Sequence, residues 1–163
     1  MAWKDGRPGS AAVCPLAPAR CPTGGPVTRS SGGWPDFSAE IPASARQLAA
    51  LRRAARRWME TVDVPAAAAL DILIALSEAA SNAVLHAYGP GSPGRIRVRG
   101  RRRGDELELV VEDDGSWRDR SVHHDGRGLD IIEAVSTASL VERRAGGSRV
   151  VFSCALPSSP ARA

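Results

Sequence analysis

The feature that most constrains this chain is residues 66–88, "AAAALDILIALSEAASNAVLHAY". The run follows Asp63, a capping residue type, with Pro65 acceptable in a first helical turn, and "GPGSPG" stops it. It predicts one helix that is apolar around most of its circumference, and such a helix belongs at the centre of a fold. Within it Glu78 and Asn82 lie four residues apart, hence on one face, separated by roughly 6 Å of rise, and His86 continues the line. An unpaired buried polar group costs on the order of 1–3 kcal/mol and an unpaired charge costs more. The row therefore needs partners, water or a ligand, and a face that meets solvent at the end of a sheet would meet the same need.

The elements around this helix follow from periodicity. "FSAEI" reads as a short strand, and Ser44 with Gln47 has capping-box spacing ahead of the amphipathic stripe Leu48, Leu51, Ala55, Trp58. Arg52, Arg53, Arg56 and Arg57 occupy the other faces of that helix. "RIRVRG" and "ELELVVE" alternate with period two and predict an antiparallel pair joined by "RRRGD", with Ile96, Val98, Leu107, Leu109 and Val111 facing the core. A polar loop, "EDDGSWRDRSVHHDGRG", leads to a short helix carrying Leu129, Ile132 and Val135 on one side. "ASLVERR", a turn at Gly146 and Gly147, and "RVVFSCAL" close the chain as a hairpin. The expected fold is a two-layer α/β sandwich, a mixed, mostly antiparallel sheet with helices on one face. Residues 1–35, rich in Pro, Gly, Ser and Ala, read as a disordered tail, 36–158 as the domain, and 159–163 as a disordered end.

Composition removes several classes of function. Lys4 is the only lysine among 22 basic residues, so the P-loop and the eukaryotic-type protein kinase, which both place an internal lysine on phosphates, are excluded. Cys14, Cys21 and Cys154 offer neither a disulfide framework nor paired spacing for zinc. The arginine-rich stretch 95–103 has no interleaved aromatics, and with aromatics at 4% of the chain a stacking platform for single strands is missing, so no direct nucleic-acid partner is expected. A solvated strand face is the simpler account of it. No run is read as long enough to cross a bilayer, and no secretion-signal pattern opens the chain, so the expectation is a soluble cytoplasmic protein with no membrane partner.

Two further motifs join Glu78 and Asn82. In "VVEDDGSW" an apolar strand ends in acids and a glycine, which lets a ligand approach the backbone closely. Gly126-Arg127-Gly128 stands directly before a helix, where free amides and the helix dipole favour anions. Each motif alone is common. The order Glu-x-x-x-Asn, Asp-x-Gly, Gly-x-Gly, then the hairpin turn "GGS", is not.

Through "ALSEAASNAVLHAY", "VVEDDGSW", "GRGLDII" and "GGSRVVFSCAL" the chain resembles the GHKL, or Bergerat-fold, ATPase superfamily, and within it the bacterial anti-sigma-factor serine/threonine kinases, over about residues 37–157. The resemblance implies ATP and Mg²⁺ as cofactors. It implies Glu78 as the general base and Asn82 as the Mg²⁺ ligand. Asp113 would accept the adenine amino group with Gly115 admitting the base, Ser148 would assist there, and Gly126 and Gly128 would frame the triphosphate. Where the family often carries an arginine before the Gly-x-Gly box, this chain has His124, with Arg127 inside the box as a substitute. Trp117 stands where the first glycine box normally has its second glycine, and the lid between Gly115 and Gly126 is short. The function implied is an anti-sigma factor that sequesters a sigma factor, phosphorylates a serine on a small anti-anti-sigma antagonist, and acts as a homodimer. A non-catalytic ATP-binding interaction module and, more distantly, an arginine-rich nucleic-acid binder are the alternatives.

Overall fold

The structure, a computed structural model, describes residues 33–88, 93–116, 127–144 and 146–157. The elements run β1 (Phe37–Pro42), α1 (Ala45–Thr61), α2 (Ala66–Asn82), β2 (Arg95–Arg103), β3 (Glu106–Asp113), α3 (Arg127–Val135), β4 (Ala138–Arg144) and β5 (Gly147–Ala155), and a π-helical turn, Ala83–Ala87, prolongs α2. The strands form one sheet in the order β1-β2-β3-β5-β4. The expected α/β arrangement and element order are observed, and the sheet read as mixed is antiparallel at every ladder. Of the expected tail, residues 1–32 lie outside the described residues, as do residues 117–126, with Trp117 and most of the lid, and 159–163.

Alternation decides which face of the sheet is covered. Ile96 and Val98 of β2, Leu107, Leu109 and Val111 of β3, and Val150, Phe152 and Cys154 of β5 are buried on the same side, as the period-two reading predicts. Against them α1 lays Leu48, Leu51, Ala55, Trp58 and Met59, and α2 lays Ile72, Leu73, Ala75, Leu76, Ala79 and Ala80. The Phe37 and Trp58 rings stack at 5.3 Å between centroids, fastening β1 to α1. On the opposite face the register aligns Glu40 with Arg97, Arg97 with Glu112, and Glu112 with Arg149, which in turn pairs with Glu142. Charge thus alternates across all five strands, the favourable cross-strand arrangement.

Three local expectations need correction. Ser44 precedes α1 but makes no side-chain cap; its carbonyl instead accepts from the Gln47 amide at 3.0 Å. Asp63 does not cap α2, whose first residue follows Pro65 directly. It takes φ +52° after α1. There the amides of Asp63 and Val64 donate back to Glu60 and Met59, the double bond of a Schellman ending. Arg101, Arg102 and Arg103 belong to β2 rather than the turn, because alternation continues to the strand's last residue. Arg102, in phase with Ile96 and Val98, is therefore buried, and it spends its charge on the Val62, Asp63 and Gly104 carbonyls.

Two statements about extent also change. Trp34 and Pro35, read as tail, pack on the domain: Trp34 lies 4.7 Å from the Arg102 guanidinium, and the Trp58 indole donates to the Pro35 carbonyl at 2.8 Å. The helical stretch Ala66–Ala87 is, by length and composition, apolar enough to cross a membrane, contrary to the sequence reading. Its packing between the sheet, α1 and α3 makes it the core helix of this fold.

Candidate functional site

The α-helical spacing of α2 puts Glu78 and Asn82 on one half-buried strip, which α3 covers. The decisive contact is Gly128, the second residue of α3. A Cβ on Gly128 would lie 3.0 Å from Glu78 Oε2 and 3.1 Å from Asn82 Nδ2, so the start of α3 rests against both polar groups at once. Only a residue without a side chain leaves room for anything else there. Among the described residues the Glu78 and Asn82 side chains have no hydrogen-bond partner. A carboxylate, a carboxamide oxygen and the positive end of a helix dipole thus converge, a donor set suited to a phosphate chain with a hard, oxygen-seeking cation. Arg127 is the first residue of α3. His124 and Gly126 lie outside the described residues.

The second half of the site forms where β3 ends. Asp113 and Ser148 are 9% and 8% exposed, a depth at which a carboxylate must be hydrogen-bonded. Asp113 Oδ1 accepts from the Gly115 amide at 3.0 Å, and Oδ2 accepts from the Ser148 hydroxyl. The pairing of β3 with β5 makes that contact, since Glu112 opposite Arg149 leaves Asp113 beside Ser148. The structure therefore brings Asp113, Gly115 and Ser148 together, and separately Glu78, Asn82 and Gly128. The π-helical turn joins the halves: Ala87 at its end lies against Gly115, where a Cβ would fall 2.3 Å from the Ala87 carbonyl oxygen. A π turn inside a helix commonly marks a functional site, because the extra residue re-aims the side chains beyond it.

Sequence reasoning missed Tyr88 and Asp114. The Tyr88 hydroxyl donates to Asp114 Oδ1 at 2.5 Å and accepts from the Asp114 amide at 3.1 Å. Burial, then the bond to Asp114, pushes the phenol up to about 12. Burial alone would raise the Asp114 carboxyl, but the hydrogen bonds from Tyr88 and from the Arg95 amide outweigh it and hold it below the usual carboxylate range. The available signal was the doubled acid: Asp113 is bonded to Gly115 and Ser148, and a second carboxylate directly after it needs a partner of its own.

Outside the polar strip, a groove of about 440 Å³ runs between α1 and α2. Arg52, Arg53 and Arg56 form one wall, Leu70 and Ile74 the other, and the groove ends at Glu78. Leu70 and Ile74 are 56% and 41% exposed.

The family profile described as histidine kinase-like ATPase domain matches residues 41–154, a span that contains all of these residues. This chain belongs to the histidine kinase-like ATPase domain family. The expectation of a GHKL-type ATPase domain is thereby borne out. As a member of the family it is 42% identical over 59 residues to the "Serine-protein kinase RsbW" of Bacillus licheniformis, the match spanning 36% of each protein. Among solved structures it is similar to the RsbU and RsbW domains of Rv1364c from Mycobacterium tuberculosis, with TM-score 0.65 and 26% identity over 80% of this chain. That match covers 34% of the mycobacterial chain. The histidine kinase domain of the Erythrobacter litoralis EL346 blue-light activated histidine kinase shares the fold, with TM-score 0.50 and 20% identity over 81% of this chain and 66% of that one. The chain thus spans about a third of the length of the first two relatives.

Proposed function

We propose that this ATPase-family domain is a cytoplasmic anti-sigma regulator that binds Mg²⁺-ATP, phosphorylates a serine on a small antagonist protein, and holds a sigma factor as a homodimer. The observation that carries the reading is the contact of Gly128 with both Glu78 and Asn82, which sets a carboxylate and a carboxamide at the start of α3. Asn82 would hold Mg²⁺, whose chemistry when bound is neutralisation of phosphate charge. Asp113, fixed by Ser148 and the Gly115 amide, would accept the adenine amino group. Glu78 would take the proton from the acceptor serine as its oxygen forms the new bond to the γ-phosphorus and the bond to the ADP oxygen breaks. The groove reaching Glu78 supports a protein acceptor, since its arginine wall beside exposed Leu70 and Ile74 suits an acidic segment with an apolar anchor.

The change to Trp117 in the first glycine box favours a second reading, in which ATP orders a partner surface without phosphoryl transfer. The arginines on the open sheet face give little support to a nucleic-acid binder, because Arg95 and Arg97 bind Glu40, Arg99 binds Glu112 and Arg101 binds Asp36. Thermal melting with ATP, with and without magnesium, tests the site: a magnesium-dependent upward shift is expected, and its absence overturns the nucleotide reading. Labelling of the antagonist serine by the wild type, reduced at least about a hundredfold in Glu78→Gln, is expected for a general base. Full-rate labelling by that variant refutes the role of Glu78, and no labelling by the wild type favours the non-catalytic module.

A further inference from the structure

The sheet end that carries Asp113 is closed by a side chain. In the β2–β3 ladder the last paired residues are Ile96 and Asp113. The next pair, Arg95 and Asp114, is bridged by the Tyr88 hydroxyl. That one oxygen donates to Asp114 Oδ1 at 2.5 Å, accepts from the Asp114 amide at 3.1 Å and from the Arg95 amide at 3.2 Å, and lies 2.8 Å from the Arg95 carbonyl. The Arg95 amide also donates to Asp114 Oδ1 at 3.0 Å. The ring seats tightly, since a Cβ on Gly94 would fall 2.0 Å from its Cε1. Tyr88 directly follows the π-helical turn, so the bridge ties the end of the helix that carries Asn82 to the residue after Asp113.

We propose that Tyr88 is a positioning residue that sets base selectivity through Asp114, by fixing the backbone on which Asp113 is carried. The inference rests on the nucleotide reading above. The physical reason is directional. A carboxylate fixed beside the base accepts the amino group of adenine, whereas guanine presents a carbonyl oxygen at the corresponding ring position and is repelled. A carboxylate free to swing discriminates less. Without the hydroxyl, the tie of the Asp114 carboxylate to β2 falls to the Arg95 amide alone, while the ring keeps its seat over Gly94.

The test is binding of ATP and GTP by the full chain, measured calorimetrically for wild type, Tyr88→Phe, Asp114→Ala and the double variant. Tyr88→Phe is expected to weaken ATP about tenfold, the scale of one hydrogen bond, and to weaken GTP less, so that the ATP-to-GTP affinity ratio falls. Asp114→Ala should lower the ratio in the same direction, and the double variant should fall short of the product of the two single effects, since the Tyr88–Asp114 bond is lost in both. A folded Tyr88→Phe that melts earlier but keeps the wild-type ratio shows a structural role only and overturns the proposal. Independent, multiplicative effects in the double variant overturn it too. A wild type that binds ATP with selectivity keeps the nucleotide reading whatever the variants do, whereas a wild type that binds no ATP overturns both.

Discussion

Gly146 and Gly147 stand side by side in the last turn, and replacing each by alanine should have opposite consequences. At Gly147 the backbone has φ +141°, and a Cβ would lie 2.0 Å from the Asp113 carbonyl oxygen, 2.9 Å from its carbon and 3.3 Å from Asp114 Cα. Those are backbone atoms of the neighbouring strand, so relief requires β3 and β5 to separate at the point where Ser148 meets Asp113. Backbone strain of roughly 1–3 kcal/mol adds to the loss of a hydrogen bond to a charged group, roughly 1.5–3 kcal/mol, giving roughly 2.5–6 kcal/mol for Gly147→Ala. That is a large part of the 5–15 kcal/mol, roughly, that holds a domain together. At Gly146 nothing lies within 4 Å and the backbone is not left-handed. Gly146→Ala should therefore be neutral or stabilise by up to about 1 kcal/mol by restricting the unfolded chain. Urea unfolding of both variants without nucleotide measures the difference, and equal midpoints, or a Gly147→Ala within about 1 kcal/mol of wild type, would refute the reasoning.

Two other outcomes rest on contacts at the edges of the domain. Removing residues 1–35 should cost about 1–3 kcal/mol more than removing 1–32, because only the longer deletion loses Trp34 from Arg102 and Pro35 from the Trp58 indole; indistinguishable denaturation midpoints would show that the two contacts contribute nothing. Tyr88 is the sole tyrosine, so the tyrosinate absorbance of the chain reports this one phenol. Its folded value, about 12, lies above the ordinary 10. The bridge should thus contribute fully to stability below pH 10 and lose that contribution as pH rises from 10 towards 12, while the depressed Asp114 carboxyl contributes above the ordinary carboxylate range and loses its contribution as pH falls below it. A phenol titrating at its ordinary value in the native protein would contradict the bridge.

Much of the fold was legible because burial leaves a period in the sequence. Ile96, Val98, Leu107, Leu109 and Val111 are buried as their alternation predicts, and the stripe Leu48, Leu51, Ala55, Trp58 covers them. Legibility failed where composition was read in place of period. Arg101 to Arg103 looked like a turn because they are charged, yet a turn of two residues at Gly104, φ +59°, and Asp105 is enough, and the strand continues beneath them. Asp63 had the right residue type for a cap at the start of α2, but its backbone was needed to end α1. At the site, the motif residues form two groups whose spacing along the chain carried no hint of the join. Tyr88 escaped notice since a single aromatic among glycines and prolines has no periodicity to betray its target.

The π-helical turn at Ala83–Ala87 also bears on how the site keeps its size. Six positions separate Asn82 from Tyr88, a span of under about 10 Å along a helical axis. This stretch therefore serves as a ruler between the two halves of the site, with the wide turn acting as a swivel that points one end at α3 and the other at the sheet. Substitutions in distant loops can lower the melting point without changing that length. A deletion of one residue within the swivel would leave the ruler nearly as long and turn its far mark away from the sheet.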